Sequence, residues 1–349
     1  MQKIQFGDRF IGREEPCFLI AEAGVNHNGD INLAKKLIDI AREAGADAVK
    51  FQTFKAEEIV TKTAEKAAYQ KITTGAEESQ FDMIKKLELS PDSFRELSGY
   101  AKEKGILFIS SSSGRESVDL LDEIGVPLFK IGSGELTNSP MLGYIARKQK
   151  PIILSTGMST LGEIEYALKI IRHEGVEEII LLQCVSCYPA KIEDMNLKAM
   201  ETLRYKFKLP VGLSDHSMGI TVPVAAAALG ACVIEKHFTL DKNLPGPDHR
   251  ASLEPDELKQ MIRAIRDVER AMGSGIKIPA TEEEENKKVV RRSLVARVDI
   301  RVGAVITKDM LDIKRPGTGI EPQFRNALCG RRAAIDIPAD TPITWEVLI

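Results

Sequence analysis

Pro151-Ile152-Ile153-Leu154-Ser155-Thr156-Gly157-Met158 opens a unit that decides the fold. Ile152 to Thr156 is a continuous apolar run ending in hydroxyls, as in a strand buried on both faces of a parallel sheet. Leu161 to Glu174 then shows helical spacing and stops at Gly175, and a second apolar run spans Ile179 to Cys184. Strand, helix, strand is a βαβ unit, and the pattern repeats on either side of it. Further strands are predicted at Cys17 to Ala23, Ala48 to Thr53, Leu107 to Ser111, Leu128 to Gly132, Val211 to Ser214 and Cys232 to Phe238. Helical patterns such as Ile31 to Ala44 and Ser93 to Lys104 lie between them, several closed by a glycine just past the last turn. Eight strands alternating with eight helices over about 270 residues predict an α/β fold, a (β/α)8 TIM barrel. A doubly wound open sheet is the alternative, but no Gly-x-Gly-x-x-Gly follows the first strand.

The remaining chain bounds the molecule. Of 349 residues, 48 are basic and 51 acidic, a net charge of −3 that excludes a broadly basic nucleic-acid binder. The longest nearly apolar run, Val222 to Ile234, is 13 residues, short of the ~20 that span a bilayer. The opening Met1 to Gly7 lacks the apolar stretch of a signal peptide, and five cysteines are sparse for such a length. These features predict a cytoplasmic enzyme without nucleic-acid or membrane partners. Composition changes after Gly273. Residues 1–273 are expected to form the barrel, 274–286 a linker containing the acidic run Glu282 to Glu285, and 287–349 a small β-rich domain. From Lys287 onward twelve basic and seven acidic residues give +5, opposite in sign to the rest. That complementarity favours docking of the tail on a barrel. Strands are expected at Ser293 to Val298 and Ala333 to Ile337. The connection Lys55 to Pro91 is unusually long and is read as a lid over the catalytic face.

In (β/α)8 enzymes the active site gathers where strands end. Those positions here hold Glu22; Lys50 and Gln52; Ser110 to Ser113; Lys130, Ser133 and Glu135; Ser155 and Thr156; Ser186 and Tyr188; Ser214, Asp215 and His216; Glu235 and His237. A structural barrel would not place so many costly ionisable groups at one end. Lys50 and Lys130, with Ser133, Ser155 and amides near Gly132, Gly134 and Gly157, suit an oxyanion such as phosphate. Either lysine could instead form a Schiff base, as in an aldolase. His216 and His237 end consecutive strands and suit a divalent transition metal with open positions, with Glu22 or Glu135 as a further ligand or orienter. His173 reads as exposed and His27 as a loop-shaping residue. His249 has a weaker claim than the pair. Cys184-Val185-Ser186-Cys187 runs into Tyr188-Pro189 rather than opening a helix, so it reads as core plus an incidental thiol, not a redox motif.

Several longer motifs resemble the sialic acid synthase family. They are Ala21-Glu22-Ala23-Gly24-Val25-Asn26-His27-Asn28-Gly29, Val49-Lys50-Phe51-Gln52-Thr53, Lys130-Ile131-Gly132-Ser133-Gly134-Glu135 and Leu154-Ser155-Thr156-Gly157-Met158. Gly212-Leu213-Ser214-Asp215-His216, Glu235-Lys236-His237-Phe238-Thr239, Pro245-Gly246-Pro247-Asp248-His249 and Lys314-Arg315-Pro316-Gly317-Thr318-Gly319 continue the series in order. The resemblance implies a transferase that condenses phosphoenolpyruvate with the open-chain aldehyde of an N-acyl hexose, typically N-acetylmannosamine, releasing phosphate. The 2,4-diacetamido sugars that lead to legionaminic or pseudaminic acid are the alternative. It implies a divalent cation, often manganese, on His216 and His237. Phosphoenolpyruvate falls to Lys50, Ser111, Lys130, Ser133, Ser155, Ser186 and Ser214, and the sugar to Gln52, Tyr188, Asp248 and Arg315. Glu22 and Glu135 sit at the reacting centre. The tail resembles an antifreeze-like SAF domain, and the resemblance implies a domain-swapped homodimer in which Arg315 enters the partner's site. Two departures stand out: Ser111-Ser112-Ser113 replaces the Thr-Pro-Phe of many relatives, and Ser186 replaces an Asn found in some. A non-catalytic carbohydrate-binding protein is a further reading, disfavoured by the dressed strand ends.

Overall fold

The computed structural model describes residues 3–6, 9–12 and 14–349, so Met1, Gln2 and Gly7 of the opening stretch lie outside the described residues. The chain divides into two compact units, Met1–Gly273 and Ser274–Ile349.

In the first unit eight parallel strands close into a barrel in sequence order. They are β1 (Phe18–Gly24), β2 (Ala48–Phe54), β3 (Leu107–Ser113), β4 (Phe129–Ile131), β5 (Ile152–Ser155), β6 (Ile179–Cys184), β7 (Val211–Asp215) and β8 (Val233–His237). Closure is made by β8, which pairs with β7 on one side and β1 on the other. The outer helices are α1 (Ile31–Ala44), α2 (Pro91–Lys104), α3 (Arg115–Ile124), α4 (Ser139–Ala146), α5 (Leu161–His173), α6 (Ala199–Phe207), α7 (Thr221–Ala228) and α8 (Pro255–Met272). Their limits come from local chemistry. Thr160 and Glu163 form a reciprocal capping box at the start of α5, and Gly45 ends α1 in the left-handed region at φ 88°.

The strands are buried on both faces, which is why they read as unbroken apolar runs. One face of each meets the helices in a large core that includes Leu37, Ile145, Leu181 and Ile265. The other faces the barrel interior, where Ile20, Ile109, Ile153, Ile180 and Val233 fill the end at which strands begin. Ile4, Phe6 and Ile11 join that inner cluster from a short antiparallel ribbon, Ile4–Phe6 with Arg9–Ile11. Sequence reading placed nothing there. Burying each of these three side chains contributes about 1.5–3 kcal/mol. The interior is thus apolar and stoppered at one end, leaving polar groups only at the other.

The 55–90 connection is not a bare loop. It carries three short helices, Ala56–Ile59, Ala68–Thr74 and Gln80–Lys85.

In the second unit β9 (Ser293–Ala296) pairs antiparallel with β10 (Leu311–Lys314) over a small core around Leu294, Leu311 and Ile343. The expected strand at Ala333 to Ile337 is reduced to bridges, Ala333 with Leu348 and Ile300 with Ile337. Its buried residues, Ala333 and Ile337, are four apart rather than alternating, and Asp336 instead accepts bonds from Val302 N (2.7 Å) and Arg301 (3.1 Å). Residues 283–290, running from the expected linker into the expected β-rich domain, form an exposed helix whose first turn holds Glu283, Glu284 and Glu285, a placement the helix dipole favours.

One residue tests the tightness of closure. A Cβ on Gly212 would lie 2.3 Å from the Val233 carbonyl oxygen across β7 and β8, where neither backbone can move freely. Gly212→Ala is expected to cost about 1–3 kcal/mol or more, read as a lower urea midpoint. An unchanged midpoint would contradict this packing.

Candidate active site

The C-terminal strand ends open into a cavity of about 510 Å³. Register explains who meets whom: on adjacent strands His237 is level with Glu22, and Glu22 with Lys50. A bulge between Glu22 and Gly24 bends β1 where the carboxylate enters the cavity.

The floor is a buried charge cluster. Lys50 Nζ lies 2.7 Å from Glu22 Oε2 and 3.8 Å from Glu235 Oε2. Lys130 Nζ lies 3.3 Å from Glu235 Oε1 and donates to Ser155 Oγ at 2.9 Å. Ser214 Oγ donates to the same Glu235 oxygen at 3.0 Å. All four charged groups are almost fully buried. Burial alone would raise the Glu235 carboxyl, but Lys130, Lys50 and Ser214 hold it below the usual range. Burial wins at Glu22, whose carboxyl is pushed up to about 7 despite Lys50, with Glu235 adding to the rise. Burial also lowers Lys130, whereas Glu22 and Glu235 overcome it at Lys50 and raise that ammonium. Glu235 is therefore the hub, and sequence reading, which placed it at a strand end, gave it no role. Two lysines converging on one carboxylate is a spatial fact that spacing does not carry.

Beside the floor, Ser133 Oγ accepts from Gly157 N at 2.9 Å. A Cβ on Gly157 would lie 2.3 Å from Ser186 Oγ and 2.8 Å from Ser133 Oγ, so these hydroxyls share a cradle that only glycine leaves open. Ser111 and Glu135 also line the cavity, the latter half-buried and accepting from Asn138 Nδ2 at 2.7 Å. Gln52 Nε2 donates to Glu22 Oε1 at 3.3 Å.

His216 and His237 have ring centroids 5.4 Å apart, and Tyr188 packs against both, 4.1 Å from His216 and edge-on at 5.7 Å from His237. His216 Nδ1 donates to the Val185 carbonyl at 2.7 Å, leaving Nε2 with its lone pair. His237 Nδ1 is buried without a partner, and burial, reinforced by His216 and Lys50, holds its pKa well below the imidazole range. Behind them, fully buried Lys236 and Asp215 pair at 2.6 Å, and Asp215 accepts from Ser217 N at 2.9 Å, tying together the strand ends that carry the histidines. The donor set fits a divalent cation: two neighbouring imidazoles, of which His237 is held neutral and its Nδ1 is otherwise unpartnered. No group of three or more His, Cys, Asp or Glu able to hold a metal occurs among the described residues, so the other positions would fall to water or substrate oxygens.

Two expected site residues are not among the cavity walls. Asp248 is buried, its carboxyl pushed up to about 6 by burial against the pull of His216. Arg315 is exposed in the second unit, after β10. His249 bonds Thr239 Oγ1 (2.6 Å) and Asn28 Oδ1 (3.1 Å), joining the first and last βα loops. Cys184 is buried 3.9 Å from His216 Nδ1, and Cys187 is exposed.

A closed (β/α)8 barrel with lysines, serines, carboxylates and paired histidines at its mouth has the build of an enzyme for a small-molecule substrate. The sequence matches the NeuB family over residues 37–277 and the SAF domain over residues 291–349. The chain belongs to the NeuB family, that of the sialic acid synthases. It is 49% identical over 96% of its length to an N,N'-diacetyllegionaminic acid synthase of Legionella pneumophila, covering 95% of that protein. A synthase of the same name from Campylobacter jejuni is 52% identical, with 92% of this chain and 97% of the relative covered. The crystal structure of an N-acetylneuraminic acid synthetase from Leptospira borgpetersenii superposes with a TM-score of 0.72 at 36% identity, covering 82% of this chain and 95% of the other. No helix of the described residues is long and apolar enough to cross a membrane.

The serine cradle makes its own prediction. Gly157→Ala is expected to displace the Ser133 and Ser186 hydroxyls and weaken phosphoenolpyruvate binding at least tenfold by calorimetry, with the thermal midpoint unchanged. Undiminished affinity would contradict the expectation that this cradle holds the phosphate.

Proposed function

We propose that the chain condenses phosphoenolpyruvate with the open-chain aldehyde of a 2,4-diacetamido hexose and water, giving a legionaminic-type nonulosonic acid and phosphate. N-acetylmannosamine, the acceptor suggested by motif resemblance alone, is the second reading. The 49–52% identity to two N,N'-diacetyllegionaminic acid synthases, against 36% to the N-acetylneuraminic acid synthetase, favours the first. The observation that carries the reaction class is the convergence of Lys50, Lys130, Ser133, Ser155 and Ser186 in one cavity with His216, His237 and Glu22.

The lysines and serines bind the phosphate and carboxylate, with Ser111 and Ser214 completing that side. Glu235, shared between the two lysines, keeps their ammonium groups aimed into the cavity. Gln52 and Tyr188 face the sugar; Asp248, buried outside the cavity walls, is assigned to the same side, and Arg315 joins them from the partner of a domain-swapped homodimer. His216 and His237 would hold a divalent cation, manganese first among the choices, which when bound polarises the aldehyde as a Lewis acid. C3 of phosphoenolpyruvate attacks the aldehyde carbon, and the aldehyde oxygen takes a proton. Positive charge then develops at C2, where Glu135 stabilises it. Water adds at C2 and loses a proton to a carboxylate, Glu22 or Glu135. Collapse of the tetrahedral intermediate breaks the C2–O bond and expels phosphate, leaving the 2-keto acid. No protein nucleophile is needed, which separates this from a Schiff-base aldolase. The same reading puts the enzyme in the cytoplasm.

Phosphate release and product mass, measured over a panel of N-acyl hexoses with phosphoenolpyruvate, test the proposal. The 2,4-diacetamido sugar is expected to give the highest kcat/KM, EDTA to abolish turnover and manganese to restore it. Preference for N-acetylmannosamine would change the acceptor. Undiminished turnover after exhaustive chelation would remove the cation, and trapping of a lysine by borohydride would replace the mechanism.

A further inference from the structure

The helix Ala68–Thr74 reaches the cavity from the long connection after β2, and its Tyr69 is part of the wall. The segment is fastened without help from that ring. Lys66, its side chain 1% exposed, donates to Thr74 Oγ1 (2.9 Å), the Gly75 carbonyl (3.1 Å) and Glu78 Oε1 (3.1 Å). The Gln70 amide oxygen accepts from Ala67 N (2.9 Å) and Gln80 Nε2 (3.2 Å). Tyr69 is left half-buried, its hydroxyl taking one long bond from Gln70 Nε2 at 3.3 Å. Its ring stacks on Tyr188 at 5.2 Å with 29° between planes, and Tyr188 in turn packs on His216.

The floor of the cavity is strongly polar, with ammonium, carboxylate and hydroxyl groups, while Met158 and Ala67 join the tyrosines in the wall. The two tyrosines supply its phenol surface. An acceptor that carries acyl groups needs a place for an apolar methyl next to hydroxyls that must be hydrogen-bonded. A stacked tyrosine pair, each ring ending in a hydroxyl, provides both.

We infer that Tyr69 is a specificity-determining residue that, stacked on Tyr188, forms the wall receiving an N-acyl group of the acceptor sugar. The inference rests on the condensation reading above and extends its sugar side to the long connection, where neither motif nor strand-end position pointed.

The test uses the full chain with phosphoenolpyruvate and one hexosamine carrying N-acetyl, N-propanoyl or N-glycolyl groups. Tyr69→Ala is expected to raise the acceptor KM tenfold or more, to shrink the preference among acyl groups to less than twofold, and to leave the phosphoenolpyruvate KM within twofold. Tyr69→Phe, which keeps the ring, should stay within threefold of wild type, and Tyr69→Leu covers the case in which the alanine variant does not fold. Lys66→Met unfastens the segment without touching the ring and gives the pattern of general loosening, a rise in both KM values. A Tyr69 variant that reproduces that pattern, or that keeps the wild-type acyl preference, would overturn the inference. Wild-type protein that releases no phosphate with any acceptor would overturn the condensation reading and this role with it.

Discussion

Two ammonium groups in the floor of a closed barrel need carboxylate partners, and Glu235 is shared by both while Glu22 pairs with Lys50. Removing lysine charges from water costs several kcal/mol each, repaid only when geometry and hydrogen bonding are good. Here Lys50 and Lys130 flank one carboxylate that Ser214 also holds, with Glu22 on the far side of Lys50. The rest of the architecture serves this arrangement. The helix-side core fixes the strands, the N-terminal ribbon fills the opposite end of the barrel, and strand register sets Glu22 level with both Lys50 and His237. An anion that entered the cavity would meet cations already aimed into it, in surroundings where little water competes.

The same constraint separates the site's two kinds of chemistry. The lysines and serines form a region suited to an oxyanion, while His237, surrounded by His216 and Lys50, is kept neutral and has a lone pair to offer. Glu22 lies between them, and burial brings its proton affinity near neutrality. A carboxyl so placed can give or take a proton near neutral pH without a large driving force in either direction. The outward-facing Lys236–Asp215 pair is as deeply buried as the floor and ties the two histidine-bearing ends together, so charge is used structurally on the back of the site as well as chemically on its front.

Most of the barrel was legible because its strands are buried on both faces and its helices end in recognisable caps. Strand ends such as Lys50, Lys130, His216 and His237 were legible as a group, since alternation fixes which residues face inward. What was not legible depends on distance rather than order. Glu235 sits in plain view two residues before His237, yet only the closed barrel brings it to both lysines. Tyr69 lies in a segment with no period of its own, and its stacking on Tyr188 is a contact between residues 119 positions apart in sequence. The ribbon Ile4–Ile11 is too short to announce itself beside the eight main strands. In the second unit, side-chain bonds such as Asp336 to Val302 N stand in for a ladder, so alternation was a poor guide there.

The account depends above all on where phosphoenolpyruvate breaks, because every role assigned at C2 follows from it. Phosphoenolpyruvate labelled with ¹⁸O in the bridging position, turned over with the acceptor sugar and analysed by mass spectrometry, reads this directly. Attack of water at C2 predicts that the label leaves with inorganic phosphate. Label retained in the nonulosonic acid would mean that the P–O bond breaks instead, and would contradict the mechanism together with the parts given to Glu22 and Glu135.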